Sequence, residues 1–67
     1  MTKVDARGYA CPQPVLMTKK ALAKDNEVDI LVDNNTALQN IQRFASNNGA
    51  KFSFEKSGED YIISLRK

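Results

Sequence analysis

The sequence predicts a two-layer α/β sandwich of βαβαββ order, with a mixed four-stranded sheet and two helices on one face. Three observations predict it. Two segments with helical periodicity each lie between short segments of alternating or continuous apolar character. Two alternating segments close the chain around Ser57-Gly58-Glu59-Asp60, the pattern of a hairpin. At 67 residues the chain suits one small domain, 1–67, whose core has room for one helical layer against one sheet.

Taken in order, Lys3 to Ala6 alternates polar and apolar around Val4 and Ala6 before Gly8, a strand running into a loop. Pro12 to about Lys24 is rich in Ala, Leu, Met and Lys, with both prolines in the first turn, and reads as a helix. Its apolar stripe runs through Val15 and Leu22, with Thr18 between them and Leu16 and Ala23 alongside. After the turn at Asp25-Asn26-Glu27, Val28 to Val32 is a central strand too short for a buried helix. Asn34 is a natural N-cap for a helix over Asn35 to about Asn48, in which Leu38, Ile41 and Ala45 recur at helical spacing with Phe44 beside them. Gly49 supplies a left-handed C-cap. Lys51 to Lys56 then directs Phe52 and Phe54 to one face, and Tyr61, Ile63 and Leu65 line one face of the last strand; Phe52, Phe54 and Tyr61 are expected in the core.

Helical connections favour parallel neighbours and the hairpin is antiparallel, so the sheet should be mixed. Two right-handed crossovers in the same direction place both helices on one face.

The chemistry in the chain centres on Cys11, the single cysteine of a sequence without histidine. A lone thiol closes no internal disulfide, supplies no multi-thiolate zinc site and forms no Cys-His pair, so neither metal nor cofactor is expected. It is either a thiol used by itself or a small buried hydrophobe. Its setting in Cys11-Pro12-Gln13-Pro14 favours use. With Cys11 as N-cap, Pro12 takes the first helical position and Pro14 the third, where a missing N–H costs little. The Gln13 N–H is then the nearest donor to the sulfur, and the positive end of the helix is worth about 0.3–1 kcal/mol to an anion. A modestly acidified thiol of this kind suits exchange at neutral pH.

Arg7 stands close enough to add positive potential, and the alternative is that it pairs with Asp5 at the surface. Lys19 lies eight residues along the helix, roughly 12 Å away. Lys19 and Lys20 are expected to act on encounter with acidic partners if they act at all, being otherwise a solvated helix face. Ten basic against eight acidic residues give a charge of +2, too small a bias to indicate nucleic-acid binding. No apolar run exceeds three residues, so no membrane span is expected, and the reading is cytoplasmic.

The run Asp5-Ala6-Arg7-Gly8-Tyr9-Ala10-Cys11-Pro12-Gln13-Pro14-Val15 resembles the TusA/SirA/YedF family of small sulfur carriers, marked by Asp-x-Arg-Gly-x-x-Cys-Pro-x-Pro leading into the first helix. Val32-Asp33-Asn34 and the terminal hairpin resemble it as well. Gln13 stands where members that thiolate tRNA often carry Glu, and Asn35 where they often carry Pro, so the chain looks most like the N-terminal domain of YedF-type proteins. The resemblance implies that Cys11 accepts sulfane sulfur from a cysteine desulfurase as a persulfide and passes it to an acceptor, such as a DsrE-like protein, in tRNA thiolation or in sulfur or selenium metabolism. On that basis Cys11 is the reactive residue, Pro12, Gln13 and Pro14 support its thiolate, and Arg7, Lys19 and Lys20 meet partners. The rival expectation is a non-catalytic module binding RNA or a regulatory protein.

Overall fold

A computed structural model describes residues 2–10 and 12–67. The elements follow the expected order: β1 (Thr2–Asp5), α1 (Gln13–Lys24), β2 (Glu27–Val32), α2 (Asn35–Asn47), β3 (Lys51–Ser57) and β4 (Asp60–Arg66). They form one four-stranded sheet in the order β1-β2-β4-β3. β1 and β2 are parallel, while β4 runs antiparallel to both β2 and β3, so the last strand inserts between elements that precede it. The sheet is mixed, as the connections require.

Period-two alternation gives the sheet one apolar face. Val28, Ile30 and Val32 of β2 pair with Leu65, Ile63 and Tyr61 of β4, and all but Tyr61 are fully buried. α1 packs on β1 and β2 and α2 on β3 and β4, which closes the core over Leu22, Leu38, Ile41 and Ala45. Burying a side chain the size of Ile or Leu contributes about 1.5–3 kcal/mol, so this layer supplies most of the drive to fold.

Each helix is delimited by local chemistry. Asn34 accepts the Ala37 N–H through its side-chain oxygen at 2.7 Å and is the N-cap of α2. At the other end the Ala50 N–H reaches the Ala45 carbonyl at 2.9 Å and the Gly49 N–H reaches Ser46 at 3.4 Å, while Gly49 adopts φ 69. This paired pattern around a left-handed residue is the Schellman termination.

Three details of packing differ from the sequence reading. The buried stripe of α1 runs through Pro14, Thr18, Ala21 and Leu22, leaving Leu16 46% exposed and Ala23 exposed. Thr18 can occupy the interior because its hydroxyl donates to the Pro14 carbonyl at 2.8 Å, which satisfies the one polar group it buries. Phe54, expected in the core, is 48% exposed. It shares the covered face of the sheet with its partner Ile63, but it lies on the edge strand; its ring meets Phe52 at a tilt and Tyr61 edge-on, each centroid 5.9 Å away.

Candidate functional site

Four pieces of the fold meet around the segment that carries Cys11: the end of β1, the start of α1, the junction between β2 and α2, and the β3–β4 hairpin. Cys11 itself lies outside the described residues, so the site is built from what flanks it.

On the N-terminal side, Asp5 grips Arg7 with both carboxylate oxygens. The Arg7 Nε donates to Oδ1 at 3.0 Å and its Nη2 to Oδ2 at 2.9 Å, and the Arg7 backbone N–H adds a third bond to Oδ1 at 3.1 Å. The remaining arm of the guanidinium reaches the Asp60 carboxylate in the hairpin at 3.3 Å. These contacts explain why Asp and Arg stand two residues apart: the chain turns back at the strand end and the planar fork matches the carboxylate. The Arg7 bonds hold the Asp5 carboxyl below its ordinary 3.8, and the two carboxylates raise the guanidinium further above its usual range.

Of the two readings of Arg7, the structure shows the pairing with Asp5; a second bond, to Asp60, ties the end of β1 to the hairpin.

Gly8 follows with φ 81, a backbone conformation that an L side chain rarely adopts, while the space around its Cα is open. Its N–H donates to Asp33 Oδ2 at 2.9 Å, a contact spanning 25 positions. Asp33 Oδ1 accepts from the Asn34 side-chain amide at 3.0 Å. The Gly8 amide, and next the Asn34 amide, hold the Asp33 carboxyl below its ordinary value. A continuous set of hydrogen bonds therefore links Gly8 to Asp33, Asp33 to Asn34, and Asn34 to the first turn of α2.

On the C-terminal side, the N-cap of α1 is Pro12, at φ −100 and ψ 17, and not Cys11. Pro14 accordingly takes the second helical position where the third was expected. The reason is visible in the hydrogen bonds. The Pro12 carbonyl accepts the first helical bond, from Leu16 at 3.2 Å, and the Gln13 N–H is drawn back to the Ala10 carbonyl at 2.9 Å. Gln13 thus does not offer the free amide donor expected for the sulfur. Pro12 and Pro14 keep their structural part, since neither position needs an N–H.

Lys19 and Lys20 are exposed on α1. Lys19 borders a groove of about 190 Å³ with Leu22, Ala23, Phe44, Asn48 and Lys67, and Lys20 does not line it. A shallow depression of about 320 Å³ occupies the uncovered sheet face around Lys3, Asp29, Leu31 and Ile62. Among the described residues no three potential metal ligands come together.

A family model described as Sulfurtransferase TusA matches residues 2–67, the whole span from β1 to the end of β4. The chain belongs to the TusA family. Within that family it is similar to a protein of Methanocaldococcus jannaschii provisionally named a sulfur carrier, 52% identical over 52 residues that cover 73% of this chain and 69% of the relative. Its fold is similar to the crystal structure of a SirA-like protein from Desulfitobacterium hafniense, with a TM-score of 0.89, 35% identity, and coverage of 98% of this chain and 96% of the other. The TusA assignment makes this chain a member of a sulfur-carrier family and bears out the resemblance of the Cys11 segment.

Asp60 was not singled out by sequence, and Asp33 only within the Val32-Asp33-Asn34 run, with no partner assigned to it. Asp60 reads as an ordinary turn residue, and Asp33 as the residue before a cap. Only the fold brings them to Gly8 and Arg7.

Proposed function

We propose that the chain is a sulfur carrier that bears its cargo on Cys11. The observation that carries this reading is the TusA family match across residues 2–67 in a chain whose single thiol falls in Cys11-Pro12-Gln13-Pro14. The Cys11 thiolate attacks the terminal sulfur of a persulfide on the donor, the donor's S–S bond breaks, and the donor cysteine leaves as a thiolate. Cys11 then holds a persulfide, whose outer sulfur passes to an acceptor nucleophile by the same exchange. No net oxidation occurs, and the only proton lost goes from the thiol to water.

The residues serve this chemistry as support. The start of α1 favours an anion near it through its unpaired peptide dipoles, and Pro12 and Pro14 stiffen the entry to the helix. Lys19 and Lys20 are free to favour encounter with an acidic donor surface. The donor is a cysteine desulfurase, the acceptor a DsrE-like or comparable protein, and the setting is cytoplasmic sulfur transfer to tRNA or into sulfur or selenium metabolism.

Mass spectrometry after incubation with a cysteine desulfurase and cysteine tests the reading. The protein should gain the mass of one sulfur atom, the gain should vanish on reduction, and Cys11→Ser should show none. Sulfur found on any other residue would reject Cys11 as the carrier.

A further inference from the structure

We propose that Asp33 is a positioning residue for sulfur transfer, holding the segment that carries Cys11 against the start of α2; this role rests on the sulfur-carrier reading. Its carboxylate ties that segment to the β2–α2 junction. One oxygen takes the Gly8 N–H at 2.9 Å and the other the Asn34 side-chain amide at 3.0 Å. Gly8 stands three positions before Cys11, and its φ of 81 is reached in open space, with nothing within 4 Å of where a Cβ would sit. At Gly8 the hydrogen bond to Asp33 thus holds a backbone conformation that glycine adopts without strain.

The start of α2 does not require Asp33. Asn34 is the N-cap, it bonds Ala37 directly at 2.7 Å, and the Asp33 side chain is exposed and adds nothing to the core. What Asp33 does hold is the segment ahead of Cys11. Arg7, the neighbour of Gly8, is fastened to Asp60, so two carboxylates remote in sequence secure adjacent residues of the turn ahead of Cys11. Sulfur exchange between two proteins requires the reacting atoms to meet at about 3–3.5 Å in line, and a segment free to wander meets that condition less often. A carboxylate suits the task because charge-assisted hydrogen bonds are about twice as strong as neutral ones.

The test compares Asp33→Ala and Asp33→Asn with the unaltered protein, each checked for folding by far-UV circular dichroism. Two rates are read at Cys11: alkylation by iodoacetamide, and sulfur loading from a desulfurase persulfide. In Asp33→Ala, loading should slow about tenfold while alkylation quickens about threefold, because an untethered segment serves a docked donor worse and a small reagent better. Asp33→Asn keeps an oxygen for the Gly8 N–H and should restore loading to within about threefold. Loss of folding also slows loading and quickens alkylation, so the two rates are compared under conditions where each variant keeps the far-UV spectrum of the unaltered protein. Loading of Asp33→Ala within twofold of the unaltered protein overturns the proposal. If the unaltered protein takes no sulfur, the functional reading fails separately, and an unchanged alkylation rate in Asp33→Ala then overturns the positioning role.

Discussion

Replacing Asn34 by Ala removes the oxygen that receives the Ala37 N–H at 2.7 Å and leaves that donor at the start of α2 without its cap. Loss of an N-cap side chain costs about 0.5–2 kcal/mol, typically about 1. Unfolding entropy near 2.1 cal/mol/K per residue gives about 140 cal/mol/K for 67 residues, so 1 kcal/mol lowers Tm by about 7 °C. Gly at the same position loses only a few tenths of a kcal/mol and should lower Tm by about 2 °C, whereas Ser retains a capping oxygen and should stay within about 2 °C of the unaltered protein. Thermal unfolding followed by circular dichroism at 222 nm would measure the series. The order Ser above Gly above Ala is the diagnostic result. An Ala variant that melts within about 2 °C of the unaltered protein, or a Ser variant no better than Ala, would refute the assignment of the cap.

Ile63 is fully buried on the central strand between Ile30 and Phe54, and Ile63→Ala should cost about 2–5 kcal/mol. Against a total stability of about 3–10 kcal/mol for a chain of this length, the urea midpoint should drop by about a fifth or more, and a smaller change would mean that the layer relaxes around the void. Acid should weaken the fold through Asp5 and Asp33, both more acidic in the folded chain than their ordinary 3.8. Their contribution is complete above about pH 4 and is lost as pH falls below that value through the depressed folded values, so the urea midpoint should decline from about pH 4 toward pH 2. Asp33→Asn should flatten that decline, and an identical slope in the variant would count against the Gly8 bond.

The sequence reports local structure well where the deciding interaction is local. Asn34 and Gly49 mark the ends of α2 because a cap and a left-handed terminator act within a few residues. The alternation in β2 and β4 marks their faces for the same reason. It fails where burial depends on position across the sheet: Phe54 has the right phase on its strand but lies on the edge strand, and it stays exposed while Ile63 and Ile30 in the same row are buried. In α1 the stripe turns toward Pro14 and Ala21 and away from Leu16 and Ala23, because the side of the helix that is buried is set by its docking on the sheet and not by its own composition. The strand order, with β4 inserted between β2 and β3, is likewise set by long-range pairing.

At the candidate site the division is sharper. Cys11-Pro12-Gln13-Pro14 is conspicuous as a motif, yet the start of α1 falls one residue later than its prolines suggest because Ala10 claims the Gln13 amide. The partners that shape the turn, Asp33 and Asp60, lie 25 and 53 positions from the residues they hold. Nothing in their immediate surroundings distinguishes them from other surface carboxylates.

The central place of β4 constrains how the molecule comes into being during synthesis. A nascent chain that has emerged only as far as β3 has no strand to join β2 to β3, and the inward faces of both stay open to water. Asp60, which fastens Arg7, arrives with that same final strand. The turn ahead of Cys11 is made before β4 but gains its Arg7–Asp60 bond only once that strand has left the ribosome, so a chain stalled at β3 would present the turn before its scaffold.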